Sequence, residues 1–166
     1  SPVLLFDQSP TNALGTDEME TRVVTLSPDA QDAPLRVTLV WTDPPGSPLA
    51  GVKLVNDLDL VVTNLVTGDV YFGNNFPGGG DFSDISLLAD TNGTFTVIND
   101  ARDTVNNVEN VYINSPLDGQ YAISVIGRRV NVNAVTAQTN GIKQDYALVI
   151  SSGNTTLVSP ITVSNS

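Results

Sequence analysis

Apolar residues recur at every second position along much of this chain, and that period restricts it to a fold built from half-buried strands. Val37, Leu39 and Trp41 alternate with Arg36, Thr38 and Val40, and Leu58, Leu60 and Val62 with Asp57, Asp59, Val61 and Thr63. The same beat returns at Tyr121, Ile123 and Val125 and at Tyr146, Leu148 and Ile150. Successive side chains of an extended backbone point to opposite faces, so each run offers one face to a core. Weaker runs lie at 20–26, 69–73, 94–98 and 109–113, and no window of a dozen residues carries a helical stripe. Turn signals separate them: Asp43-Pro44-Pro45-Gly46, Thr67-Gly68-Asp69, Asn92-Gly93, Asp118-Gly119 and Asn140-Gly141. Glycine supplies positive φ at such corners, and Asn and Asp tolerate it. The pattern predicts an all-β jelly roll or β-sandwich of about eight antiparallel strands.

A chain of 166 residues is enough for one such domain, and we find no internal repeat. Residues 19–152 form the expected sandwich, with 1–18 a linker or edge segment and 153–166 a polar C-terminal tail. Segment 74–93, rich in Gly, Asn and Asp, reads as a long loop, a kind usually functional or mobile. The Ser1-Pro2 start and the single methionine, Met19, suggest a mature or excised piece of a larger protein.

Charge and missing residue types narrow the function. Eighteen acids against seven bases leave a net charge of -11, which repels phosphate backbones and anionic lipid, so neither nucleic acid nor membrane is an expected partner. No apolar run approaches the ~20 residues that span a bilayer. The absence of histidine rules out Ser-His-Asp and Cys-His triads and histidine-ligated zinc; the absence of cysteine removes thiolate chemistry. A Ser-Lys pair would need Lys53 or Lys143, and neither stands near a serine motif. No catalytic residue is assigned, and the chain is read as non-enzymatic.

Two oxygen-rich runs remain. In Leu54-Val55-Asn56-Asp57-Leu58-Asp59-Leu60, strand parity puts Asp57 and Asp59 on one side, with Lys53 the only nearby base in sequence. Carboxylates ~7 Å apart repel one another unless positive charge lies beside them. The second run, Asp100 to Glu109, sets Asn107 and Glu109 on one face. Calcium takes six to eight oxygens of this kind. The alternative is a solvated sheet face at Asp57 and Asp59 and a plain turn at Asp103 and Asn106. A glycosidase carboxylate pair would need a cleft flanked by aromatics, and none cluster here. Trp41 is either a stacking platform or a core-edge aromatic with a hydrogen-bonded indole N–H. Asn92-Gly93-Thr94 and Asn154-Thr155-Thr156 match the glycosylation triplet.

Taken in order, several blocks resemble the C-terminal domain of subtilisin-like serine proteases of the large, oxidant-tolerant alkaline group. They are Val40-Trp41-Thr42-Asp43-Pro44-Pro45-Gly46, Leu54 to Val62, Tyr71-Phe72-Gly73-Asn74-Asn75, Asn106-Asn107-Val108-Glu109-Asn110-Val111, Pro116 with Gly119-Gln120-Tyr121, and Gln144 to Ser151. The resemblance covers about residues 20–152. It implies a jelly roll packed in cis beside an upstream subtilase catalytic domain, a secreted parent enzyme with a protein substrate, and bound calcium. The calcium ligands it nominates are Asp57, Asp59, Asp103, Asn107 and Glu109. The family's catalytic Asp, His and Ser have no counterpart here. A protein- or carbohydrate-binding module of a secreted hydrolase and an adhesin-type spacer are the alternative expectations.

Overall fold

The computed structural model describes residues 3–7, 13–51 and 53–152, together with the backbone of 162–165. Eleven strands are present among them: β1 (Val3–Asp7), β2 (Met19–Thr25), β3 (Leu35–Val40), β4 (Asn56–Asn64), β5 (Val70–Phe72), β6 (Leu87–Ala89), β7 (Phe95–Val97), β8 (Val108–Ile113), β9 (Gln120–Val130), β10 (Ala147–Ser152) and β11 (Thr162–Asn165). They pair into two sheets, β1-β10-β3-β8 and β11-β2-β9-β4-β5-β6-β7. Every pairing between these strands is antiparallel. The one α-helix among the described residues, α1 (Pro28–Gln31), is a single turn capped by Ser27, whose hydroxyl accepts from Ala30 N–H at 3.4 Å.

The alternation read from the sequence becomes the core. Val37 and Leu39 on β3, Leu58, Leu60 and Val62 on β4, Ile123 and Val125 on β9, and Leu148 and Ile150 on β10 pack together between the sheets. Burying side chains of this size contributes roughly 1.5–3 kcal/mol each, the main force holding the sheets face to face. The all-β sandwich is therefore as expected. The additional strands are short or peripheral: β6 has only three residues and lies inside the segment read as loop 74–93. Segment 1–18 contributes β1, paired with β10 at a sheet edge, and 153–166 contributes β11, paired with β2. Positions 153–161 and 166 lie outside the described residues, as does the Asn154 triplet.

Segment 74–86 has a clear structural task. β8 is the last strand of its sheet, and the segment hydrogen-bonds along its free edge. Asn74 N–H donates to Asn110 O at 2.8 Å, and Ser83 N–H donates to Tyr112 O at 2.7 Å. The Asn110 and Tyr112 N–H groups donate in turn to Asn74 Oδ1 and Ser83 Oγ. An open edge of this kind would otherwise recruit another strand.

β4 is buried on both faces over Asn56–Leu60, whereas a sandwich strand ordinarily leaves one face wet. Its pairing with β9 slips at one point: Asp57 stands opposite Arg129 and Leu58 opposite Gly127, so Arg128 is the extra residue of a bulge. A bulge re-aims side chains locally. Here it brings two arginines alongside two aspartates.

Candidate functional site

The polar half of β4 is anchored before any acid is placed. Asp43, in the Asp-Pro-Pro-Gly turn, accepts from Val55 N–H at 2.9 Å and Asn56 N–H at 2.7 Å. Asn56, fully buried, donates to Val132 O and Gln144 Oε1 and accepts from the N–H groups of Asn131 and Val132. Trp41 donates its indole N–H to Asn56 O at 3.0 Å and is 3% exposed, so it is a core-edge residue rather than a stacking platform.

Asp57 and Asp59 project from the face opposite Leu58 and Leu60, as parity predicts, but that face is not solvated. The two side chains are 1% and 2% exposed. Segment 99–107, the connection from β7 to β8, reaches Asp59. Its Arg102 lays its guanidinium over the Phe72 ring, 3.4 Å from the centroid, and donates to Asp59 Oδ2 at 3.2 Å. Arg128, from the bulge, stands 4.0 Å from the same oxygen. Lys53, the base suggested by the sequence, is exposed, and Arg102, Arg128 and Arg129 supply the positive charge instead. Sequence parity could not show this, because one arginine comes from a distant loop and the others from a register slip.

Glu109 reaches the same region from the other sheet. It shares strand parity with Val111 and Ile113, so its carboxyl enters the interior, where Oε2 accepts from Leu60 N–H at 2.7 Å. Leu60 lies just past the end of the β4–β5 ladder, so its N–H would otherwise be an unpaired strand donor. Room for the carboxyl comes from Gly73: a Cβ there would sit 2.1 Å from Glu109 Oε2.

Burial and mutual repulsion act together on these acids. Burial first, then the neighbouring Asp59 charge, pushes Asp57 up to about 6, against the partial relief of Arg129 and Arg128. Burial likewise raises Asp59, with Arg102 and Arg128 opposing. Burial pushes Glu109 up to about 9 despite the Leu60 N–H bond, and the charges of Asp59, Asp103 and Asp57 add to the effect. One oxygen of each carboxyl, Oδ1 of Asp57, Oδ1 of Asp59 and Oε1 of Glu109, is buried with no hydrogen-bond partner. Buried polar atoms are nearly always paired, so these three carboxyls keep unused hydrogen-bonding capacity among the described residues.

The other two nominated residues are occupied. Asp103 accepts from the N–H groups of Val105 and Asn106 and from the side-chain amides of Asn74 and Asn106. Burial alone would raise it, but these hydrogen bonds outweigh burial and hold it below the usual carboxylate range. Asn107 donates its amide to Trp41 O at 2.7 Å. Both therefore fasten segment 99–107 to the sandwich. The five nominated residues divide into three buried acids and two clasps. Among the described residues no group of three or more acidic side chains is drawn together tightly enough to cage a metal by itself. Calcium, though, tolerates irregular shells completed by backbone carbonyls and water, and the three orphaned carboxylates suit it in kind.

The fold and site together define an antiparallel β-sandwich with a buried acidic layer on one central strand. No protein-family model matches the chain. It is similar to two Dictyostelium discoideum proteins. One, named serine protease/ABC transporter B family protein tagA, is 32% identical over 142 residues, which is 84% of this chain and 7% of that protein. The other, serine protease/ABC transporter B family protein tagD, is 37% identical over 87 residues, which is 52% of this chain and 4% of that protein. The chain thus corresponds to less than a tenth of either relative's length, and the similarity gives it a protease-associated relation.

Proposed function

We propose that this chain is a non-catalytic, calcium-binding accessory domain of a secreted subtilisin-like serine protease, packed in cis beside the catalytic domain. The observation that carries the calcium assignment is the set of three orphaned, buried carboxylate oxygens on Asp57, Asp59 and Glu109. The protease context rests on the names of the relatives, and the non-catalytic role on the absence of histidine. Asp57, Asp59 and Glu109 would hold the ion, which would supply the positive charge that the layer lacks. Asp57 and Asp59 lie on the outer face of one sheet and Glu109 comes from the other, so the ion would tie the two sheets. Asp103 and Asn107 would keep segment 99–107 closed over it. Such a tie would brace the domain, and through it the protease, against unfolding and self-digestion, or hold it in position to assist entry of a protein substrate.

A binding-module reading would call for a row of exposed aromatics. Phe72 is buried beneath Arg102, and Phe76 packs edge-on against Tyr112 at 5.6 Å, so these side chains form no platform. The test is calorimetric unfolding in EDTA and in millimolar calcium. Because an ion bound only by the folded form adds stability by mass action, calcium should raise Tm by about 5 °C or more. Asp57→Asn with Asp59→Asn should abolish the shift. Superimposable curves for the unsubstituted protein would overturn the calcium assignment.

A further inference from the structure

The strand at the far end of the larger sheet, β7, is exposed and chemically specific. Asp90 N–H donates to Thr94 O and Ile98 N–H to Ser86 O, so the inward hydrogen bonds of this segment fall at even-numbered residues. In an antiparallel ladder these sites alternate, which turns the N–H and C=O groups of Phe95 and Val97 outward. No hydrogen bond from the described residues reaches them. The side chains beside this open edge are apolar: Phe95 is 49% exposed, Val97 58% and Ile98 58%. Of the chain's five phenylalanines, Phe95 alone is left largely exposed.

This edge lacks the usual protections. It carries no lysine and no proline, and no loop among the described residues covers it, in contrast with β8, whose edge segment 74–86 closes. Next to it, Leu88 on β6 and Ile98 form part of a cleft of about 430 Å3 that also includes Tyr71, Ile85, Ile113 and the carboxylate of Asp84. The charge of the region has one sign. Apart from the buried Asp57 and Asp59, the chain between Lys53 and Arg102 carries five aspartates (Asp69, Asp81, Asp84, Asp90 and Asp100) and no lysine or arginine. A second copy of the chain would bring the same acidic surroundings against themselves, so self-pairing at this edge is opposed.

We propose that β7 is a docking edge for an extended peptide segment in which aliphatic residues alternate with lysine or arginine. The segment adds antiparallel to β7 and exchanges backbone hydrogen bonds with Phe95 and Val97. Its aliphatic side chains lie against Phe95 and Val97, and its cations face the aspartates around the edge. This is strand addition, in which the backbone gives affinity and the side chains give selectivity. It requires no metal and is independent of the acidic layer on β4.

The test uses the full chain and two synthetic hexapeptides of alternating valine and lysine or valine and glutamate, titrated by calorimetry at low salt in EDTA. The lysine peptide should bind and the glutamate peptide should not. Val97→Pro removes one outward N–H without touching the β6 ladder and should weaken binding about tenfold or more. Asp84→Asn combined with Asp90→Asn should weaken it severalfold and flatten its salt dependence. Circular dichroism on each variant separates loss of the edge from loss of the fold. Equal binding of both peptides, binding unchanged by Val97→Pro in a folded variant, or no binding of the lysine peptide would each overturn the proposal. A concentration-dependent dimer that Val97→Pro abolishes would also overturn it, assigning the edge to a second copy instead.

Discussion

Glutamine at position 109 should make the calcium-free protein more stable at neutral pH, although the substitution falls in the middle of the candidate site. Burial raises the Glu109 carboxyl from an ordinary 4.5 to about 9, so the folded form holds a proton that the unfolded chain releases. For an acid raised in this direction, the folded form binds more protons throughout the interval, and stability falls as pH rises from about 4.5 towards 9. Each pH unit across that interval is about 1.4 kcal/mol, so by pH 7.5 the loss is on the order of 4 kcal/mol, a large share of the 5–15 kcal/mol typical of a domain. Glutamine matches the protonated acid in shape and keeps an oxygen for Leu60 N–H at the 2.7 Å position. It has no proton to lose. Urea titrations in EDTA should therefore find Glu109→Gln roughly 2–4 kcal/mol more stable than the parent at pH 7.5 and within about 1 kcal/mol of it near pH 5. Millimolar calcium should reverse the order, since the parent carboxylate gains a ligand and the amide gains less. A variant destabilised by the same margin at both pH values in EDTA would instead mean that Glu109 is ionised in the fold without cost.

Three further substitutions probe the same frame. Gly73→Ala would place a Cβ 2.1 Å from Glu109 Oε2 and should cost about 1–3 kcal/mol; adding Glu109→Ala should relieve much of that cost in a double-mutant cycle followed by urea unfolding. Asn56→Asp keeps the acceptor for Asn131 and Val132 N–H but turns a second oxygen on Val132 O and Gln144 Oε1; it should destabilise by more than about 3 kcal/mol, visible as a lower thermal midpoint. Arg102→Met removes the guanidinium that lies 3.2 Å from Asp59 and covers Phe72; it should cost about 3–5 kcal/mol in EDTA while tightening calcium binding severalfold by calorimetry, since the ion then meets no competing charge.

What the sequence disclosed and what it withheld follow from the range of each physical signal. Val37, Leu39, Leu58, Leu60, Ile123 and Ile150 were legible as core because strand parity is local and their burial obeys it. The short strand Leu87–Ala89 was not, since three residues without a β-branched side chain carry no readable period, and tertiary pairing with β5 and β7 makes the strand. At the acidic layer, parity placed Asp57 and Asp59 on one side correctly. It could not show that Arg102 reaches Asp59 or that the register slip delivers Arg128, because both depend on residues more than 40 positions away. Glu109 was grouped with Asn107 on one face, whereas Asn107 turns to Trp41 O and Glu109 to Leu60 N–H. The glycine in Tyr71-Phe72-Gly73 was the readable clue: a glycine directly after a strand marks a close approach, and Glu109 is what approaches.

Stability alone does not call for this layer. Replacing buried ionic groups with apolar ones of similar volume is often neutral or stabilising, and the outer face of β4 already has Phe72 beside it as a hydrophobic neighbour. Yet three features far apart in sequence converge there: a glycine that clears space for Glu109, a bulge that aims Arg128 at Asp59, and a clasped segment that lowers Arg102 onto Phe72. Together they neutralise Asp59 in part and leave one oxygen on each of three carboxyls without a partner. A layer built only to balance charge would have closed those contacts, as Asp103 does with three hydrogen bonds inside its own turn and a fourth from Asn74. On the proposed calcium reading, the contrast between the saturated Asp103 and the open Asp57, Asp59 and Glu109 separates the acids that hold the clasp from those that would take the ion. It also predicts how they differ: Asp103→Asn should loosen segment 99–107 and leave calcium affinity nearly intact, whereas Asp59→Asn should lower calcium affinity at least tenfold, both read by calorimetric titration. Equal losses in the two variants would mean that the clasp and the ion share one set of ligands, and the division drawn here would fail.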